Sequence, residues 1–225
     1  MIFDTLNKRK YVREYDTEAD IPESLINSLL QKTWKITPSK NNFMPYTVHV
    51  VGPKHQKYKE LTFLNAVSNE TKTDTISLEE YNKRYSHLKP NYANILSCSY
   101  LLIFTMRLET DPNPFQKMLI ERGHKYEAVD EDRLNSLYST ASLEVGLFAD
   151  AFSAQCLEHD IDISFTGCFQ KDVAKWKDIP FVTRRPILLM TVGKGKVYRE
   201  DIIKHSELEK LDLRPDYNKI VNFVD

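Results

Sequence analysis

Glycine is scarce in this chain, with six in 225 residues. Neither GxGxxG nor GxxxxGK[ST] occurs, and Gly193-Lys194-Gly195-Lys196 has the spacing of neither, so the two common glycine-rich phosphate cradles are excluded. Any phosphorylated ligand must then be recognised largely by side chains. Cysteine is equally sparse. Cys98, Cys156 and Cys168 are odd in number, widely spaced and without a CxxC pair, which argues against a disulfide framework or a cysteine zinc site and fits a reducing, cytoplasmic compartment. All three read as small buried apolar residues. Long apolar runs are missing too: the stretches at 100–104 and 187–190 fall far short of the roughly 20 residues a membrane helix needs. Asp4, Lys8, Arg9 and Lys10 interrupt the amino terminus, unlike a secretory signal. Neither sign of charge dominates, with 31 Lys+Arg against 32 Asp+Glu, so nothing global favours nucleic acid or an anionic membrane as a partner.

Metal and nucleophile templates fail as well. The six histidines show no HExxH, and no GxSxG elbow exists. His159 with Asp160 and Asp162 reads as a helix exit rather than a metal cluster, and no metal site is expected.

What is present is an ordered succession of helix and strand patterns. Ile21-Pro22-Glu23 opens a helix carrying Leu25, Ile26, Leu29 and Leu30, which fades at Thr37-Pro38 because a residue before proline is pushed out of the α region. Strands are expected at 46–52 and at 99–106, the latter buried on both faces. Between them 54–96 reads as mostly helical, with a polar gap at 67–77. Asp111-Pro112-Asn113-Pro114 breaks the chain, and 115–129 reads as a short helix plus a covering loop. The strongest helical pattern runs from Asp132 to about His159, apolar around much of its circumference and so suited to a core or a subunit interface. A strand at 163–165, a helix near 172–177 and a buried strand at 187–193 follow. The order implies one α+β domain over 1–225, with helices covering a mixed sheet.

Four segments carry candidate chemistry. Arg9-Lys10-Tyr11-Val12-Arg13 places three cations in five residues, and arginine forks suit phosphate oxygens. The same pattern also serves as a solvated basic start. Pro38, Ser39 and Asn42 lie in a proline-bounded loop that can offer hydroxyl and amide groups to a ligand or simply make a turn. Gly167, in Phe165-Thr166-Gly167-Cys168-Phe169, permits close approach of backbone to a ligand. Arg214 precedes a strand-like end, and Arg199 competes with it for any anion-binding role.

In order and spacing these segments resemble the nitroreductase family of FMN-dependent oxidoreductases, over most of the chain. Arg9-Lys10-Tyr11-Val12-Arg13 resembles the family's RRSxR-like motif, and Pro38, Ser39, Asn42, Pro45 and Tyr46 fit its PSxxNxQPW loop. The long helix with Glu144 and Gly146 resembles the central dimer helix, the segment around Gly167 and Cys168 the backbone clamp on the flavin, and Arg214-Pro215-Asp216-Tyr217-Asn218-Lys219 the final arginine motif. Tyr11 stands where the family has serine, Met44 where it has glutamine, and Cys168 where glycine is common.

The resemblance implies a mixed, mainly antiparallel sheet flanked by helices, with the long helix at a homodimer interface. It implies FMN as cofactor, NADH or NADPH as electron donor, and a small electron-poor acceptor such as a nitroaromatic or a quinone, with ping-pong hydride transfer through flavin N5. Arg9, Lys10, Tyr11, Arg13, Pro38, Ser39, Asn42, Gly167, Cys168, Arg199 and Arg214 are the implied cofactor-binding residues, with the backbone of Gly167 and Cys168 near N5 and no side-chain acid or base required. The alternative within the fold is another flavin activity, such as dehalogenation, ring oxidation or flavin fragmentation, or flavin binding without turnover.

Overall fold

The computed structural model describes residues 9–108, 111–126, 130, 133 and 135–199. Its strands are β1 (Val12–Tyr15), β2 (Tyr46–Val51), β3 (Tyr100–Met106), β4 (Asp162–Thr166), β5 (Pro186–Gly193) and β6 (Gly195–Tyr198). Its helices of eight residues or more are α1 (Glu23–Ile36), α2 (Gln56–Thr71), α3 (Lys89–Ser97), α4 (Pro114–Glu121) and α5 (Tyr138–Glu158). Among the described residues no helix is long and apolar enough to cross a membrane.

Four strands form one sheet in the order β2-β3-β5-β4, and all its pairings are antiparallel. β3 lies inside it, and every one of its seven residues is buried. Alternate side chains point to opposite faces. Leu102 and Phe104 therefore join a core with Ile26 and Leu29 of α1 and Val145 and Phe152 of α5, while Leu101 and Ile103 join a second core with Phe63 and Val67 of α2 and Ile95 of α3. The result is a helix, sheet, helix sandwich, which is why β3 reads as a continuous apolar run.

The helix boundaries show where packing overrides composition. The polar gap expected from 67 begins only after Thr71, because Phe63, Ala66 and Val67 are buried against the sheet. Ser68 and Thr71 donate their hydroxyls back to the carbonyls of Leu64 and Val67 at 2.8 and 3.0 Å, so α2 carries them without orphaned polar groups. Lys72, with φ of 58°, then ends the helix in the left-handed region. The helix expected near 172–177 is a 3₁₀ turn, Val173–Trp176.

A separate two-stranded ribbon pairs β1 with β6. β1 was not apparent as a strand in the sequence, because it is only four residues long, buries Val12 and Tyr15 at its two ends and leaves Arg13 and Glu14 between them less buried, with irregular register to β6 in place of an alternation. Tyr15 fastens the ribbon to the core. Its backbone N–H donates to Ser97 Oγ at 3.0 Å, and its hydroxyl donates to the Thr191 carbonyl at 2.9 Å. The Gly193-Lys194-Gly195 stretch that failed as a phosphate cradle is where the chain passes from the main sheet into the ribbon: Gly193 pairs with Asp162 and Gly195 with Tyr15.

Candidate active site

The ribbon carries the basic segment to the exposed end of β4. Tyr11 donates its hydroxyl to the Phe165 carbonyl at 3.2 Å, and the Arg9 guanidinium lies 4.7 Å from the Phe165 ring centroid. Arg9 also reaches Asp150 on α5 at 3.9 Å. Arg13 stacks over the Tyr11 ring at 4.8 Å, and Lys10 lies 4.9 Å from the Tyr198 ring centroid. Arg199 donates its backbone N–H to the Tyr11 carbonyl at 2.8 Å, so its exposed side chain joins the same basic edge. Four cations, Arg9, Lys10, Arg13 and Arg199, thus meet on one ribbon. Arg214 lies outside the described residues.

Just beyond Phe165 the backbone is open. Gly167 and Cys168 are both exposed, and a Cβ placed on Gly167 would meet nothing within 4 Å. Cys168 therefore departs from the expectation of three buried thiols. Cys98 and Cys156 meet it: burial pushes the Cys98 thiol up to about 12 and raises that of Cys156 as well.

Two further residues that the sequence reading missed, Tyr92 and Lys171, feel the charge of Cys168. Tyr92 on α3 is buried, and its ionisation is pushed far up, first by burial, then by a hydrogen bond to Glu70, with smaller effects of Cys168 and Tyr11. Lys171 lies 3.6 Å from the Phe169 ring centroid and donates to the Ile187 carbonyl at 3.1 Å. Burial, then the Arg185 charge, lowers its amine to about 8, against a smaller opposing effect of Cys168. No local spacing announces these residues, because helices distant in sequence bring them here.

Pro38, Ser39 and Asn42 stand elsewhere. They precede β2, and β2 and β4 are opposite edges of the sheet, three strand spacings or roughly 14 Å apart. The loop is tightly shaped. Asn41, Asn42 and Met44 all have positive φ (56°, 52° and 46°), and for methionine this conformation is strained. Ser39 Oγ accepts from the Met44 N–H at 2.7 Å, Arg107 Nε donates to the Met44 carbonyl at 3.0 Å and Arg107 also donates to the Phe43 carbonyl. Glu144 of α5 accepts from the Lys40 N–H at 3.2 Å. Arg107 and Glu144 thus hold this loop, and only the Asn41-Asn42 pair hinted at its left-handed backbone.

Large apolar side chains also reach solvent on α5 and α1. One face of α5 is buried through Ala141, Val145, Phe148 and Phe152, as the spacing requires, but Leu143 and Leu147 are 66% and 43% exposed. α1 packs on α5, where Gln155 Nε2 donates to Thr33 Oγ1 at 2.6 Å, and adds Trp34 and Ile36 at 56% and 66% exposure.

Among the described residues no group of His, Cys, Asp and Glu is placed to hold a metal ion. Asp162 instead accepts the Gly195 N–H at 2.9 Å and the Tyr198 hydroxyl at 3.2 Å, a structural role at the helix exit.

Comparison with known proteins decides the family. The profile of the Nitroreductase family matches residues 6–194. The chain belongs to the nitroreductase family. Its fold is shared with a proposed NAD(P)H:FMN oxidoreductase of Staphylococcus epidermidis, with TM-score 0.65, 16% identity and coverage of 100% of this chain and 96% of that one. A nitroreductase-like protein of Streptococcus mutans gives TM-score 0.58 and 21% identity over 95% and 97% of the two chains. A BluB-like flavoprotein of Clostridium difficile gives 0.60 and 14% over 100% and 99%. No curated protein matches. Nitroreductase family membership supports an oxidoreductase of the general flavin type.

Proposed function

We propose that this chain is an FMN-dependent NAD(P)H oxidoreductase that works as a homodimer and reduces small electron-poor acceptors such as nitroaromatics or quinones. The observation that carries this reading is the convergence of Arg9, Lys10, Arg13 and Arg199 on the ribbon beside the open backbone of Gly167 and Cys168. The donor set fits FMN. Arginine forks and a lysine would neutralise a phosphate dianion, with Arg214 a further candidate, and Gly167 and Cys168 are exposed just past the end of β4, where their N–H groups would donate to a ring edge.

When bound, FMN supplies two-electron hydride chemistry that no side chain here offers. The residues bind and orient. Cations on the ribbon stabilise negative charge on the cofactor, and Tyr11, replacing the family's serine, spends its hydroxyl on Phe165 and so fixes the ribbon to β4. Donor and acceptor share one open space in turn, which gives ping-pong kinetics.

A second copy completes the site. Pro38, Ser39 and Asn42 precede the sheet edge opposite the cations, which supports a site to which a second copy contributes this loop. The exposed Trp34, Ile36, Leu143 and Leu147 form a surface that a dimer would cover, bringing one copy's loop to the other's ribbon.

The test is the visible spectrum of the purified protein. Flavin absorbance that bleaches on NADH or NADPH addition, and returns with a nitroaromatic or quinone, is expected. Failure to contain or take up FMN overturns the reading.

A further inference from the structure

α4 closes both of its own ends. Asn113 Oδ1 accepts the Gln116 N–H at 2.9 Å while Gln116 Oε1 accepts the Asn113 N–H at 2.7 Å, and Pro114 fills the first helical position. At the far end Gly123, with φ of 88°, and His124 donate their N–H groups to the Ile120 and Leu119 carbonyls at 2.9 and 3.0 Å. Yet none of its eight residues is buried: Phe115, Met118 and Leu119 form an apolar stripe that is only half-buried, and Ile120 is 40% exposed. Helices shorter than about 12–15 residues are marginal alone, so the place of α4 depends on its ties to the rest of the chain.

One such tie comes from the cap residue itself. Asn113 Nδ2 donates to the Asn42 carbonyl at 3.1 Å and to the Asn41 carbonyl at 3.4 Å. The partners fix the amide's orientation, with a backbone N–H on one side and two carbonyls on the other. Both carbonyls belong to residues with positive φ, in the loop whose Ser39 and Asn42 are candidate ligand groups. Arg107 and Glu144 hold that loop from the body of the protein, and Asn113 holds it from the helix beside it. Serine, threonine, aspartate and asparagine all cap helices, but only asparagine offers a cap oxygen and an NH₂ group together. Between helix and loop lies a cavity of about 210 Å³, with Gln116, Leu119 and Ile120 in one wall and Lys40, Asn41 and Phe43 in another.

We propose that Asn113 is a positioning residue that couples the placement of α4 beside this cavity to the left-handed shape of the loop before β2. When the helix moves away, the two carbonyls lose their donor and the loop loses one of its holds. When the helix is seated, the cavity wall and the loop are set together. The proposal rests on the flavin reading only for what the loop binds, since the coupling itself needs no cofactor.

Hydrogen exchange followed by mass spectrometry on the purified full-length protein reads helix and loop separately. Asn113→Ser and Asn113→Asp both keep a cap oxygen for the Gln116 N–H and remove the NH₂ donor. In each, the amides of 40–46 should exchange about three- to tenfold faster, the worth of one hydrogen bond, although the altered residue is 71 positions from Asn42. Gln116→Ala, which loosens the cap and leaves the donor in place, should quicken exchange in α4 and not in the loop. Circular dichroism establishes that each variant is folded, and should one Asn113 variant misfold, the other decides. Loop exchange within about twofold of wild type in the Asn113 variants overturns the proposal. So does a loop quickened equally by Gln116→Ala, which would mean that helix stability matters and the donor does not. FMN affinity, titrated by fluorescence, should fall in the Asn113 variants by a factor similar to the rise in loop exchange, and a looser loop with undiminished affinity overturns the positioning role. A chain that takes up no FMN refutes the flavin reading, and the exchange rates then decide the coupling by themselves.

Discussion

The attachment of the basic ribbon to the core is open to a sharp test at Gly193. A Cβ there would lie 2.6 Å from Tyr15 Cδ1, 3.0 Å from its Cγ and 3.3 Å from the Ser99 nitrogen. Ordinary contact begins at 3.4 Å, so Gly193→Ala must move Tyr15 Cδ1 by about 0.8 Å and the ring root Cγ by about 0.4 Å. The root of a ring moves only with its strand, and this ring is also held by the hydroxyl bond to Thr191 and the backbone bond to Ser97. Overpacking of this kind costs about 1–3 kcal/mol, and a lost hydrogen bond adds about 1 kcal/mol. Urea unfolding followed by circular dichroism should therefore show Gly193→Ala less stable by about 2–4 kcal/mol. FMN affinity should fall alongside, since β1 carries Arg13 and continues directly from the Arg9-Lys10 segment. A double-mutant cycle isolates the cause: combined with Tyr15→Leu, Gly193→Ala should cost clearly less than alone. Additive losses, or a stability within about 0.5 kcal/mol of wild type, would refute the idea that Tyr15 fixes the ribbon.

Three further outcomes follow from the same geometry. Arg13→Ala should weaken FMN binding roughly ten- to a hundredfold by removing a charged donor from the phosphate, and an unchanged affinity in a fluorescence titration counts against the site assignment. Trp34→Glu and Leu147→Glu, at positions 56% and 43% exposed, should convert dimer to monomer in sedimentation equilibrium and lower FMN retention together; dimers that persist in both variants exclude this surface as the interface. Lys171 has its amine lowered to about 8 from 10.5, so between those values the unfolded chain binds the extra proton and stability rises with pH. The cost of charging it, up to about 3 kcal/mol, is fully present below pH 8. Urea midpoints of wild type minus Lys171→Met should climb between pH 8 and 9.5, and a flat difference rules out the lowered amine.

The parts of the fold that were legible in the sequence are those whose signal is local. β3 and β5 read as apolar runs because both faces are covered, and α1 begins directly after Pro22, whose fixed φ suits the residue that caps a helix start. The ribbon was hidden because a strand of four residues with two outward charged side chains looks like any basic loop until β6 pairs with it. The basic motif was therefore found by residue type and order, while its conformation came from a partner strand some 180 residues away. Tyr92, Glu70 and Lys171 were illegible for the same reason: α2, α3 and the segment after β4 are distant in sequence and are packed together only by the fold.

The loop before β2 shows how this separation bears on function. Its residues were chosen from the sequence as ligand groups, yet in one chain they face α5 and α4 at the sheet edge far from the cations. Three left-handed residues in four positions, one of them a methionine, are maintained by Ser39, Arg107 and Glu144 acting together. Strain of this kind persists only where surrounding structure over-determines it. Glu144 accepts the Lys40 N–H with one oxygen and also borders the adjoining cavity, so the residue that shapes the loop forms part of that cavity's wall. In a dimer that carries this loop to the partner's ribbon, loop shape, cavity polarity and cofactor position would be set by one side chain on the long helix.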